Sequence, residues 1–373
     1  MSISEFALID RYFRDCGARR TDVPLGIGDD AAVLECPPGK QLVAAIDTLV
    51  EGVHFPVGSP PASIGHRALA VNLSDLAAMG AEPAWALLAL TMREVREDWL
   101  SEFSRGLGTL AREHNVALVG GDTVSGPPTV TIQVLGFVER SRAIRRSGAR
   151  PGDVVFVTGT PGDSAGGLAM ELEAGAALAE QGSSPARGGS PSIGDQAHSP
   201  SRSAPHSIAD QRDTAPVDRA TLPTRCSPQS IQALRNRFLF PTPRVALGRA
   251  LLDYASACID VSDGLLGDAG KLANASGCAV DLEYSQIPIS VALTDAFGEQ
   301  RAREMALSGG EDYELCFTVP ASRIDDMLNA LPLERWSYTR IGVIKEGVGA
   351  RVINNGTVMD FSHSGYDHFP SSR

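Results

Sequence analysis

The chain has 373 residues, 43% apolar and 21% charged, with 33 Lys and Arg against 45 Asp and Glu, for a formal charge of −12. That length exceeds one ordinary core and predicts two domains, and the acidic balance argues against nucleic acid and for metal ions or cationic ligands. No apolar run reaches membrane-spanning length, the first residues lack the basic and apolar regions of a signal peptide, and the six cysteines form no CxxC pair, so a cytoplasmic protein with reduced thiols and no membrane partner is expected.

A helical spacing of Phe6, Ile9, Tyr12 and Phe13 opens the chain, which then turns into Leu25-Gly26-Ile27-Gly28-Asp29-Asp30. Taken alone, Gly-Asp-Asp is also a common solvated turn. Residues 42–46 read as a buried strand that ends by delivering Asp47, with His54 following between Val53 and Phe55 as an edge or core histidine or a ligand contact. Residues 64–79 read as a helix apolar nearly all round, stopped by Gly80 and Pro83. Asn72 and Asp75 lie three apart, and so share one face of it, where buried polar groups need partners.

A strand is expected at 84–92 and an amphipathic helix at 98–115 with Leu100, Phe103, Leu107 and Leu110 inward. A further strand from Val116 runs into Gly120-Gly121-Asp122-Thr123, and 129–138 alternates with the period of a half-exposed strand. Arg145 and Arg146 form a small basic spot suited to phosphate or simply to water. Pro151-Gly152-Asp153 marks the expected boundary between domains at 1–150 and 151–373.

After a strand at 154–158, Gly159-Thr160-Pro161-Gly162-Asp163 invites a phosphate-loop reading, but the Lys-Ser or Lys-Thr pair of a Walker loop is missing and a glycine-eased turn into a helix fits better. Residues 181–228 shift to Ser, Pro, Gly and Ala without periodicity, which predicts a disordered, protease-sensitive insertion interrupting a helix that resumes at 231–240. The run Ala257 to Val261 places Asp260 on a core strand, and Asp263 precedes a helix reaching Ala275. Asp263 suits a helix cap; Asp260, if ionised there, needs a cation or a partner. A helix at 291–297, a Gly-rich acidic turn at 306–314 entering a strand, a short helix at 323–331, strands at 338–344 and 350–353, and an aromatic tail complete the chain.

Asp30, Asp47, Asp122 and Asp260 each fall at or just past an expected strand end, and Asp75 on a buried helix. Oxygen donors without clustered His or Cys select hard cations, Mg2+ before Zn2+, and such carboxylates suit Mg2+ ions bridging a polyphosphate for phosphoryl transfer.

Gly26-Ile27-Gly28-Asp29-Asp30-Ala31-Ala32, Asn72 to Ala81, Gly120-Gly121-Asp122-Thr123, Ile259 to Leu265 and Ser308 to Leu315, followed by Gly365-Tyr366-Asp367-His368-Phe369, resemble in order the motif series of the thiamine-monophosphate kinases, in the superfamily of aminoimidazole ribonucleotide synthetase. The resemblance implies a two-domain α/β fold with an N-terminal ATP-binding domain, a homodimer with a shared barrel-like sheet, ATP and thiamine monophosphate as substrates, several Mg2+ ions, and in many members K+. It places Asp30, Asp47, Asp75, Asp122, Asp260 and Asp263 at metal-ligand positions. Gly121, Asp122, Arg146 and Ser262 match nucleotide contacts, and His54, Glu311 and Tyr366 match positions around the thiamine phosphate. Ala45 and Ile46 stand where the family often has hydroxyl residues. A phosphate nucleophile is already ionised near neutral pH, so no general base is assigned. The Ser308-to-Leu315 run, and the lack of an early reactive Cys beside a Gly-rich segment, favour this family over the selenophosphate and aminoimidazole ribonucleotide synthetases; a non-catalytic cation or nucleotide binder is the rival from another class.

Overall fold

The computed structural model describes residues 4–182 and 226–361. Tyr366, the aromatic tail and nearly all of the expected insertion lie outside the described residues. Two sheets organise the rest. The first has strands β1 (Lys40–Val50), β2 (Glu82–Met92), β3 (Ala117–Ser125) and β4 (Thr129–Glu139) in the order β1-β4-β2-β3, antiparallel except for β2 with β3. The second has β5 (Val154–Thr158), β6 (Ala257–Val261), β7 (Ala279–Glu283), β8 (Glu314–Val319), β9 (Tyr338–Lys345), β10 (Gly349–Asn354) and β11 (Thr357–Met359), in the order β11-β10-β7-β9-β5-β8-β6. Together with helices on their faces these make a two-domain α/β fold.

Between the sheets lies α2 (Pro61–Ala78), in which every residue but Pro61, His66 and Asp75 is buried. It packs on β1 and β4 of one sheet and on β6 and β8 of the other. A single apolar core therefore runs through both halves, from Val43 and Ile132 to Phe156 and Phe317. Glycines let neighbouring helices come unusually close to α2. A Cβ on Gly106 of α3 (Glu97–Glu113) would stand 1.9 Å from the Ala62 carbonyl oxygen. The far face of the second sheet is covered by α7 (Leu265–Ala275), through Leu265, Leu266, Ala269 and Leu272.

Three expectations change. β1 continues to Val50 and β3 to Ser125, so Asp47 and Asp122 sit inside edge strands, not at their ends. The helix before the insertion, α4 (Asp163–Gly182), is not resumed after it: α5 (Pro228–Leu239) packs against α4 as a separate helix, where a Cβ on Gly167 would meet the Leu234 carbonyl at 2.1 Å. The next helix is short, α6 (Val245–Ala250), and runs into a single 3-10 turn at Leu251–Asp253. After α8 (Val291–Phe297) comes α9 (Glu299–Ser308), whose charged sequence hides a narrow buried stripe of Ala302, Met305 and Ala306. The remaining helices are α1 (Glu5–Tyr12) and α10 (Ile324–Ala330). Among the described residues, no helix is long and apolar enough to cross a membrane.

Candidate active site

A cleft of about 590 Å³ opens where the two sheets meet on α2. Asp47 reaches it from within β1 and His54 from the turn after that strand, Asp75 from α2, Arg146 from the link between the sheets, and Asp260, Ser262 and Asp263 from the end of β6. Gly310, Glu311 and Tyr313 close the side away from the first sheet. Chain folding thus brings four of the six expected metal-ligand carboxylates to one cavity.

Their charges disfavour one another. Burial, then the charge of Asp47, pushes Asp75 up to about 6, with Arg146 pulling it back. Burial raises Asp260 well above the usual carboxylate range, and Asp75 and Asp268 raise it further against Ser74 and Arg146. Asp47 opens to solvent at the rim, yet the protein around it and then Asp263 raise it as well. Such a set is relieved by a bound cation. Among the described residues no three His, Cys, Asp or Glu side chains close into a metal cage. The donors are spaced around the cavity, which suits Mg2+, an ion that keeps waters and takes substrate phosphate oxygens alongside one or two carboxylates.

The turn at Asp263 differs from a capped helix start. Gly264 is the N-cap of α7, at φ 117°, and no side chain caps there. Instead Asp268, from the first turn of α7, accepts the Ser262 and Asp263 amides at 2.9 Å each. Asp263 is thereby left to face the cleft. Opposite it the Gly310 turn is tightly held: the Glu311 N–H donates to the Ser262 carbonyl at 2.7 Å and the Tyr313 N–H to the Val261 carbonyl at 2.8 Å. Glu311 and Tyr313 have φ of 72° and 53°, left-handed values that cost non-glycine residues about 1–2 kcal/mol each.

Beneath this turn lies a residue that sequence reading missed. Arg67 of α2, 2% exposed, forms an ion pair with Glu311, stacks 4.4 Å from the Phe238 ring centroid and donates to the Phe238 carbonyl at 2.5 Å. An arginine inside an otherwise greasy helix was the available signal. Glu311 therefore meets the cleft already paired with a cation. Asn72 donates to the Ala68 carbonyl at 3.0 Å, while its side-chain oxygen is buried and has no hydrogen-bond partner among the described residues. His54 Nδ1 accepts the Val50 amide at 3.1 Å, and this tie aims the ring along the cleft wall.

Arg146 is exposed and placed by backbone: the Arg145 carbonyl accepts the Cys258 amide at 2.9 Å, and the Ser276 hydroxyl accepts the Gly148 and Ala149 amides at 3.2 Å each. At the Gly159-to-Asp163 turn, the amides that a phosphate would need are in part committed elsewhere. The amides of Gly162 and Ser164 already donate to buried Asp312, at 2.8 and 3.3 Å. Ile46, 61% exposed, gives the rim an apolar edge where hydroxyls were implied, and Ala45 packs on the core.

Asp30, Gly121 and Asp122 do not line this cleft. Asp47 shares a register row with Ile132, Leu88 and Gly121, and Ile132 and Leu88 are buried toward α2. Asp122 is in the next row, with Ala89, Thr131 and Thr48, on the outer face. β1 and β3 are opposite edges, three strand spacings or about 14 Å apart. Gly121, at φ 150°, leaves no room for a Cβ, which would stand 1.8 Å from the Leu88 carbonyl. Asp30 lies within a segment whose Val23, Ala32 and Leu34 pack on Trp85 and Phe137, also on the outer face.

Residues 28–138 match the N-terminal domain model of the AIR synthase related proteins, and residues 217–354 match the C-terminal one. The thiamine-monophosphate kinase of Salmonella typhimurium is 40% identical over 370 residues, 99% of each chain. The crystal structure of thiamine-monophosphate kinase from Stenotrophomonas maltophilia K279a is 42% identical with a TM-score of 0.74, covering 96% of this chain and 99% of that one. AaThiL complexed with AMPPCP and TMP is 29% identical with a TM-score of 0.67 over 99% of each chain. With full-length identity of this order and the two-domain architecture in common, the chain belongs to the thiamine-monophosphate kinase family.

Proposed function

We propose that this chain transfers the γ-phosphoryl group of ATP to thiamine monophosphate, releasing thiamine diphosphate and ADP. The observation that carries the reading is the cleft between the sheets, where Asp47, Asp75, Asp260 and Asp263 face Arg146 in a member of this family. A phosphate oxygen of thiamine monophosphate attacks the γ-phosphorus in line, the bond to the ADP oxygen breaks, and no phosphoenzyme forms. That nucleophile is already ionised, so no side chain needs to remove a proton. Bound Mg2+ would neutralise the two mutually repelling phosphates, and K+ is the second cation that the family resemblance implies. Asp47, Asp75, Asp260 and Asp263 would hold the metal, Arg146 and Ser262 would contact the nucleotide, and His54 and Glu311 would line the acceptor side. Arg146 adds a fixed positive charge that needs no metal.

The same reading assigns residues 1–150 and 151–373 to two domains and makes the protein a homodimer. Leu42 and Ile46 are 51% and 61% exposed on the outer face of the first sheet, apolar surface of the kind that partners cover. A partner stacked there would bring its own Asp30, Gly121 and Asp122 toward a cleft that lacks them.

Incubation with ATP, Mg2+ and thiamine monophosphate should yield thiamine diphosphate and ADP in equal amounts, read by chromatography. Asp260→Asn should lower kcat by at least about 100-fold while leaving thermal stability intact, because burial already favours the neutral form at that position. ADP without thiamine diphosphate would mean another acceptor, and near-normal turnover by Asp260→Asn would remove Asp260 from the machinery.

A further inference from the structure

Lys271 lies one helical turn beyond Asp268 on α7, behind the cleft-lining Asp263, and its ammonium joins two carboxylates. It donates to Asp263 Oδ2 at 2.5 Å and to Asp268 Oδ1 at 2.8 Å. The two acids differ. Asp268 is 1% exposed and its second oxygen is committed to the Ser262 and Asp263 amides, so it is fixed in place. Asp263 has a side chain 33% exposed, lines the cleft, and projects toward the space that the other carboxylates share. The lysine itself is 47% exposed on a flexible stem, with room to move.

We infer that Lys271 is a resident counter-ion for Asp263, which occupies that carboxylate in the metal-free protein and competes with a divalent cation for it. When the cation takes Asp263, the ammonium withdraws onto Asp268 alone. Asp268 is anchored by backbone, so the lysine keeps one ion pair in both states and is never left unpaired in the protein. The ion pair also limits repulsion within the cleft, because the charge of Asp263 acts on Asp47. The inference rests on the reading of Asp263 as a metal ligand.

The test is a Mn2+ titration of the full chain without nucleotide, with free Mn2+ read by electron paramagnetic resonance. Lys271→Gln keeps an N–H donor for Asp268 but removes the competing charge, and it should bind Mn2+ roughly 2- to 5-fold more tightly than the wild type, the range of a part-exposed ion pair. Lys271→Arg keeps the charge in a fork that can hold a carboxylate bidentately, and should bind Mn2+ more weakly than the wild type. Opposite shifts in the two variants support the exchange. Equal or weaker binding by Lys271→Gln, tighter binding by Lys271→Arg, or no measurable binding by any of the three proteins overturns it. Turnover of ATP with thiamine monophosphate by the same wild-type preparation reports separately on the function, which stands or falls without Lys271.

Discussion

Arg67 shows how one charged residue can organise a site that it does not line. Its guanidinium is buried between Phe238 and Tyr313, and its partner Glu311 holds a left-handed backbone conformation at the cleft wall. Removing one member of a buried pair leaves the other as an uncompensated charge, whereas removing both is far less costly. Arg67→Met should therefore lower unfolding stability by about 3 kcal/mol in urea titration, and the double variant Arg67→Met with Glu311→Gln should recover most of that loss. A double variant as unstable as the single one would show that packing on Phe238, not charge, is what Arg67 supplies. Of the cleft carboxylates, Asp47 and Asp260 were legible in the sequence as acids ending apolar runs and Asp75 as a polar residue on a buried helix. Asp263 read as a helix cap and joined the metal set only through the family resemblance. Arg67, Asp268 and Lys271 were not legible, because their roles depend on neighbours distant in the chain or on a turn geometry that spacing does not reveal.

At the scale of elements, the Gly310 turn is tied down from several directions. Asp312 accepts amides at the start of α4, and Glu314, at the start of β8, accepts from Arg237 of α5 at 2.7 Å and from Arg244 at 2.6 Å, with Thr158 of β5 donating as well. α4 and α5 flank the segment expected to be an insertion, and each meets this turn near its end remote from that segment. Burial alone would raise Glu314, but Arg244 with Arg237 outweighs it and holds the carboxyl below its ordinary 4.5. A lowered folded pKa means that the unfolded chain binds more protons through the acid range. The contribution is complete above pH 4.5 and fades as pH falls toward the folded value. Glu314→Gln should thus cost about 3 kcal/mol at pH 7, and the gap between it and the wild type should narrow below pH 4.5. A gap independent of pH would assign the loss to shape instead of charge.

For the whole molecule, the decisive fact is that the first sheet has one face on α2 and another that carries exposed Leu42 and Ile46. Asp47 belongs to the inner row and Asp122 to the outer, so a single chain cannot bring both to one ion. The proposed homodimer would resolve this, with Asp122 supplied by the partner. Leu42→Asp, at a position away from the cleft, should convert a dimer to a monomer in light scattering and lower turnover in step with the dimer fraction. A fully active monomer would require all catalytic carboxylates to come from one chain, and would leave Asp122 outside the reaction.

Local patterning determined much by itself. Period and apolar patterning marked most strands and helices, the missing Lys weighed against a Walker loop at Gly159, and hard-oxygen donors without His or Cys clusters pointed to Mg2+ chemistry. These follow from nearest-neighbour effects: side-chain alternation, helix-stop residues and ligand softness all act over a few residues. Only the tertiary structure decided which acids meet. It extended β1 past Asp47, made α5 a packing partner of α4 and not its continuation, gave the cap of α7 to Gly264, and set Asp122 on the opposite face from Asp47. Those outcomes depend on strand register and on glycine-permitted contacts between elements far apart in the chain. A shift of one residue in register would move Asp47 to the other face, and no local pattern at Asp47 carries that information.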